Sequence, residues 1–150
     1  MSPDPIPAPR EVVERLLRAA ASSHPEDMAD CYAGHVVIEM PFSAGLYPPR
    51  IETTRDELRA RFKAGRAVRS YESLSEVLIH QTADPEVIIA EYQMHGHMVA
   101  DGQPFAMTFV MVITVRDGQI VHSRDYSDPV AGARITGRVP ELVAALNGAL

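Results

Sequence analysis

Between Val115 and Pro129 the chain reads VRDGQIVHSRDYSDP, a stretch holding His122, Ser123, Arg124, Asp125, Tyr126 and Asp128. A carboxyl group held away from water rises in pKa and can exchange protons near neutral pH. The same carboxyl on the wet face of a sheet only adds solubility. Side chains alternate along a strand, so one residue of register decides between these outcomes. Asp117-Gly118 marks a hairpin turn. As a two-residue turn it pairs Arg116 with Gln119, Met111 with Arg124 and Phe109 with Tyr126, which turns His122, Arg124 and Tyr126 inward. As a three-residue loop with Gly118 in a bulge, it pairs Met111 with Ser123 and Phe109 with Asp125, and Ser123 and Asp125 enter the interior. Asp-Gly serves both turns.

The strands around this hairpin supply the setting. In Phe105 to Val115 one face carries Phe105, Met107, Phe109, Met111 and Ile113. In Glu86 to Val99 the matching face carries Ile88, Ala90, Tyr92, Met94 and Met98. With Met40 on the first strand, five methionines fall on inward faces; they either fill the core or shape an adaptable pocket for a flat, hydrophobic small molecule. On the inward reading, Asp125 is a general acid/base and Tyr92 could hydrogen-bond and orient it. The plainer alternative is a structural acid paired with Arg61. Arg61 and Phe62, on a preceding helix, could reach the cavity rim, where Arg61 would take a substrate carboxylate; a solvated helix face is the alternative. Glu91, His95 and His97 share the outer face of their strand and resemble metal ligands at first sight. No third strong ligand accompanies the histidines, so surface or interface roles are expected and no metal or cofactor is called for. Together with Ala106, Thr108, Val110, Val112 and Thr114 this outer face is too apolar and specific for plain solvent, and we expect a homodimer interface there.

These strands belong to a chain of 150 residues, 46% hydrophobic and 23% charged, which suits one domain with a substantial core. The formal net charge of -6, without a run of Lys or Arg, argues against nucleic acid or an anionic membrane as partner. No apolar run approaches the ~20 residues needed to span a bilayer. The lone cysteine, Cys31, cannot form an internal disulfide, suits a reducing cytoplasm and reads as a small core residue. Met1 to Ala8, with no apolar leader region, reads as a flexible proline-rich tail, and residues 9–150 as one domain. Pro9 opens a helix through Ala20, with Val12, Val13, Leu16 and Leu17 at helical spacing. A short helix follows His24-Pro25, then a strand from His35 to Met40 and a loop from Pro41 to Thr53. Thr54-Arg55-Asp56-Glu57 is a capping-box pattern that starts a helix to about Ala67. Strands over 70–81, 86–99, 105–115 and 119–127 form a meander, and Val139 to Leu146 a short closing helix. Helices followed by a meander indicate α+β, a curved, mostly antiparallel sheet packed on N-terminal helices.

Three stretches, CYAGHVVIEMP, DPEVIIAEYQMHG and DGQIVHSRDYSDP, make the chain resemble the nuclear transport factor 2-like superfamily, in particular its SnoaL-like group. The likeness spans roughly Pro9 to Pro129. It implies a conical barrel, usually dimeric, with one deep pocket per subunit; because the fold hosts many chemistries, it implies no single activity. The ketosteroid isomerase positions for a base, an oxyanion tyrosine and a protonated acid fall here on Met40, Leu16 and Met111. The limonene epoxide hydrolase Arg-x-Asp pair falls on Tyr92 and Met94, although its later Asp matches Asp125. The phenazine-biosynthesis A/B pattern is similar at Asp84-Pro85, Glu91, His95-Gly96 and Asp125, where those proteins have Glu; their active-site His falls on Arg61 and a pocket Tyr on Phe105. The resemblance carries over only the terminal acid, and it favours Asp125 inward. The expected activity is cofactor-free acid/base chemistry (isomerisation, cyclisation, dehydration or condensation) on a small hydrophobic or aromatic metabolite. Asp125 and Tyr92 would be catalytic, and Met40, Arg61, Phe62, Met94, Phe105, Met107, Phe109, Met111 and Ser123 would contact substrate. A non-catalytic binding or accessory protein of the same fold is the alternative.

Overall fold

In the computed structural model, which describes residues 2–148, two helices and a 3₁₀ turn precede most of the sheet. Helix α1 (Pro9–Ala20) begins on the proline, and its single apolar stripe of Val12, Val13, Leu16, Leu17 and Ala20 is buried across the sheet. The 3₁₀ turn Pro25–Cys31 leads into β1 (Tyr32–Glu39). Strand β2 (Arg50–Thr54) lies inside the segment expected to be loop; it pairs antiparallel with β1, Ile38 opposite Ile51. Helix α2 (Arg55–Gly65) starts on a complete capping box, the Glu57 amide donating to Thr54 Oγ1 and the Thr54 amide to the Glu57 carboxylate.

The strands β3 (Arg69–Gln81), β4 (Val87–Met98), β5 (Pro104–Arg116) and β6 (Gln119–Ser127) form the expected meander. The sheet order is β2-β1-β6-β5-β4-β3, and β1 runs parallel to β6. The architecture is therefore a mixed α+β fold with one curved sheet, as expected, but β2 and β3 are free edges and the sheet does not close into a barrel. Two short helices, α3 (Pro129–Thr136) and α4 (Val139–Leu146), finish the chain. Helix α3 was not expected: its signals are Asp128 at the N-cap, accepting from the Val130 amide, and Pro129 at the first helical position. In the tail, Ile6 and Pro7 lie against the β5–β6 turn; a Cβ on Gly118 would stand 2.9 Å from Pro7 Cδ. Met1, Ala149 and Leu150, at the ends of the expected tail and domain, lie outside the described residues.

The core sits between α1 and the inward rows of β1, β4, β5 and β6: Val36, Ile88, Ala90, Ile113, Val115 and Ile120 are all closed to solvent. Burying each of the larger side chains contributes about 1.5–3 kcal/mol. Gly96 marks the tightest approach in the sheet. A Cβ there would fall 2.2 Å from the Ser70 carbonyl oxygen and 3.0 Å from the Phe105 ring. A backbone carbonyl in a paired strand cannot step aside as a side chain can, so only glycine fits between β3 and β5. Gly34 meets nothing within 4 Å. Gly96→Ala is expected to cost about 2–3 kcal/mol in urea unfolding through overpacking, and Gly34→Ala less than about 1 kcal/mol. Equal effects would contradict this packing.

Candidate functional site

The β5–β6 turn takes a third geometry, distinct from both registers considered above. Asp117 and Gly118 have φ of 52° and 76°, the paired positive values of a two-residue type I′ turn. Arg116 pairs with Gln119 and Val115 with Ile120. The register then slips by one, so that Thr114 faces His122, Ile113 faces Ser123 and Met111 faces Asp125. The extra residue is Val121, in a bulge two rungs above the turn. The bulge lets Ile120 remain in the core, 0% exposed, while Ser123 and Asp125 point inward and His122, Arg124 and Tyr126 point out. Asp125 is thus inward as the resemblance implied, opposite Met111 rather than Phe109.

On the far face His122 and Glu39 meet at 2.6 Å across the parallel β1–β6 pair, and Tyr126 packs edge-on against Phe42 at 5.2 Å between ring centres. On the inner face, Asp125 Oδ1 and Ser123 Oγ are both shut off from solvent without a hydrogen-bond partner. Asp125 makes no ion pair with Arg61. Burial pushes the Asp125 carboxyl up to about 6, against smaller downward pulls from the Ser123 hydroxyl and the His122 charge. Two buried phenols stand nearby, Tyr92 and Tyr32, both raised above the ordinary tyrosine value first by burial and then by the Asp125 charge. The Tyr92 hydroxyl donates to Met111 Sδ at 3.3 Å while its ring stacks on Phe109, so the expected orienting hydrogen bond to Asp125 is replaced by one to sulfur. Tyr32, buried at 3% exposed, is not among the expected site residues. Its backbone pairs with Ile120, five residues before Asp125, yet its buried phenol lies near enough to feel the Asp125 charge.

One rung outward from Asp125, the Phe109–Ser127 pair forms part of the wall of a cleft of about 550 Å³. Met107 and Phe105 continue that wall along β5. Met40, Tyr47, Pro48 and Ile51 close one side, Arg61 of α2 with Arg69 and Tyr71 of β3 the other, and Gly132, Ile135, Thr136 and Arg138 of the C-terminal helices the mouth. Arg138 ties mouth to loop: its guanidinium donates to the Leu46 carbonyl at 3.2 Å, pairs with Glu141 and lies over the Tyr47 ring. Of the residues expected to contact substrate, Met40, Arg61, Phe105, Met107 and Phe109 line this cleft. Asp125, Tyr92, Met111 and Ser123 do not line it: Met111 and Asp125 form the next rung inward from the Phe109–Ser127 pair, and Tyr92 and Ser123 are buried. Met94 does not line the cleft: it is a core residue, 3% exposed on β4, the strand next to the edge strand β3. Phe62 does not line this cleft but an adjoining one of about 200 Å³ that shares Arg61, Arg69 and Tyr71 with it, and its ring tilts against Tyr32. Arg69, Tyr71, Tyr47, Ser127 and the α3–α4 residues escaped sequence reading because loops and helices far apart in sequence converge there. An open groove of about 430 Å³ between α1 and β3 contains no buried titratable group. Among the described residues no cluster of three His, Cys, Asp or Glu is placed to hold a metal ion, and no helix is long and apolar enough to cross a membrane.

A curved six-stranded sheet with helices packed on it is the mixed α+β architecture of the nuclear transport factor 2-like fold. The chain belongs to the SnoaL-like domain family, whose profile matches residues 13–123. It is 26% identical to the Bacillus subtilis protein YesE over 80% of this chain and 81% of the other, and 26% identical to a PhzA/B-like protein of Pseudomonas aeruginosa over 93% and 98%. The crystal structure of a candidate isomerase from Bacillus subtilis superposes with a TM-score of 0.76 at 25% identity, covering 86% of this chain and 92% of that one.

A carboxyl raised by burial binds its proton more tightly folded than unfolded. Stability should therefore fall as pH rises from about 4 to about 6, and stay reduced above. At about 1.4 kcal/mol per pKa unit the Asp125 penalty above pH 7 is on the order of 2–3 kcal/mol. Asp125→Asn should melt higher than the parent at pH 7.5, with the gap narrowing toward pH 4; parallel melting curves across that range would show that the carboxyl is not held away from water.

Proposed function

We propose that this protein is a cofactor-free acid/base enzyme acting on a small hydrophobic or aromatic metabolite, with Asp125 as the proton-transfer group. One observation carries the reading: Asp125 Oδ1, one rung inward of the cleft wall, is a buried carboxyl oxygen without a partner, on a group whose pKa burial pushes up to about 6. Such a group is half-titrated near pH 6, mostly ionised at neutrality, and can accept a proton and return it, as isomerisation, cyclisation or dehydration requires. The likeness to a candidate isomerase supports the same class. Tyr32 and Ser123 are polar groups near the acid that could serve beside it. A reducing cytoplasmic setting fits the single buried thiol.

The test is proton exchange. Incubated in deuterium oxide with a panel of aryl and cyclic ketones, the protein should wash deuterium into an enolisable position of its substrate. The rate should rise with pH through about 6 as Asp125 ionises, then level. Asp125→Asn should lower it by about 10²–10⁴-fold. Equal rates in parent and variant would end the acid/base reading. A second reading, ligand binding without chemistry, is favoured by the Tyr92 hydroxyl, which is committed to Met111 Sδ and offers no donor to a developing oxyanion. On that reading the pocket binds its ligand, Asp125→Asn leaves affinity unchanged, and no exchange appears.

We also propose that the outer sheet face pairs two copies. Val110 and Val112 lie half-buried in the middle of that face, flanked by the His122–Glu39, His80–Glu91 and His97–Glu72 pairs. Sedimentation should show a dimer for the parent chain and a folded monomer for Val110→Arg; a parent chain that sediments as a monomer at micromolar concentration would rule this out.

A further inference from the structure

We propose that the ligand of the cleft carries a carboxylate, which Arg61 and Arg69 hold at the end remote from Asp125. The protein bears a formal net charge of -6, yet the cleft wall includes three arginines and no Asp or Glu. One of the three, Arg138, is neutralised by Glu141 at 2.6 Å. Arg61 and Arg69 have no carboxylate within 4.0 Å among the described residues. Their neighbours in sequence differ: Arg59 pairs with Asp30 at 2.6 Å and Arg66 with Glu26 at 2.9 Å. The acid one turn before Arg61, Glu57, is occupied with the helix cap, accepting from Thr53 Oγ1 at 2.8 Å and the Thr54 amide at 3.1 Å. Arg69 is half-buried, with its guanidinium 5.8 Å from the centre of the Tyr71 ring. Arg61 is exposed at the rim of the cleft and Arg69 half-buried; a guanidinium free of a protein carboxylate there is a strong receptor for a planar carboxylate, which it can meet with two parallel hydrogen bonds.

Topology orients such a ligand. Arg69 pairs with Met98 and Tyr71 with Gly96, beside Phe105, at the outer end of the inward row of β5. Asp125 faces Met111, six residues further in, roughly 20 Å at about 3.3 Å per residue. The two Arg side chains reach into that span from the wall. A molecule of one to three rings suits about 550 Å³. Its carboxylate would sit with Arg61 and Arg69, its rings against Phe105, Met107 and Phe109, and its far end toward Asp125. The reverse placement would set a carboxylate against Asp125, two like charges in an apolar site.

This rests on the cleft being the ligand site of the proposed function, and it is tested apart from turnover. Calorimetric titration at pH 7.5 with 2-naphthoate and its neutral isostere 2-naphthamide should show at least tenfold tighter binding of the acid. Arg69→Gln and Arg61→Gln should each reduce that preference and the double variant abolish it, while Arg66→Gln, whose side chain pairs with Glu26, retains it. Asp125→Asn should keep the preference, so loss of turnover in that variant bears on the acid/base reading alone. Equal affinity for acid and amide, no naphthoate binding at millimolar concentration, a preference that survives the double substitution, or tighter binding of 2-naphthyl phosphate than of 2-naphthoate would each overturn the proposal.

Discussion

The bulge at Val121 is the constraint on which the site depends. Without it, a strand leaving the Asp117-Gly118 turn with Ile120 in the core would carry His122, Arg124 and Tyr126 inward after it. Burying an arginine and a histidine with no partner costs several kcal/mol. The bulge gives up ladder pairing at one residue, on the order of 1 kcal/mol, and resets the alternation. His122 then meets Glu39 on the outer face, Ser123 enters the core, and Asp125 turns to the inner face opposite Met111. Bulges are found beside active sites for this reason: they re-aim a side chain without moving the sheet.

The inward acid is held at the expense of stability. Neither Asp125 Oδ1 nor Ser123 Oγ has a hydrogen bond, and a fold built only for robustness would leave no such pair buried. The surroundings over-determine the position. Ile113 and Ile120 on either side are 0% exposed, and the parallel pairing of β1 pins β6 from its other edge. What is disfavoured in the resting protein is a carboxyl tuned toward neutral pH.

The cleft above it is assembled from parts that share no local signal. Inward side chains of β5 make one wall, the end of β3 and α2 another, and the 41–49 loop with α3 and α4 the mouth. Arg138 holds the mouth together through the Leu46 carbonyl, Glu141 and the Tyr47 ring. Cation, aromatic and thioether groups are thus gathered at one end of the sheet while acids are excluded from the wall, a charge pattern opposite to that of the chain as a whole.

The alternation of apolar residues determined the four long strands, and hence that Phe105, Met107, Phe109 and Met111 share one face. Pro9 and the Thr54–Glu57 box determined where two helices begin, because these signals act within a turn of chain. Strand β2 and helix α3 were not legible at that range: β2 is defined by its pairing to β1, and α3 by a cap and little else. The site was half legible. The chain showed that a polar run followed the hairpin, and that Asp-Gly would turn it, but the face presented by Asp125 depends on a slip two rungs above the turn. That slip is decided by whether Ile120 or a charged side chain takes the core position, a competition that exists only once β1, β5 and α1 have closed around it. Tyr92 was rightly seen as inward, yet its hydrogen bond to Met111 rather than to the acid follows from distances that periodicity does not contain. Local preference set the elements; burial of one hydrophobic side chain in the assembled core set where the acid points.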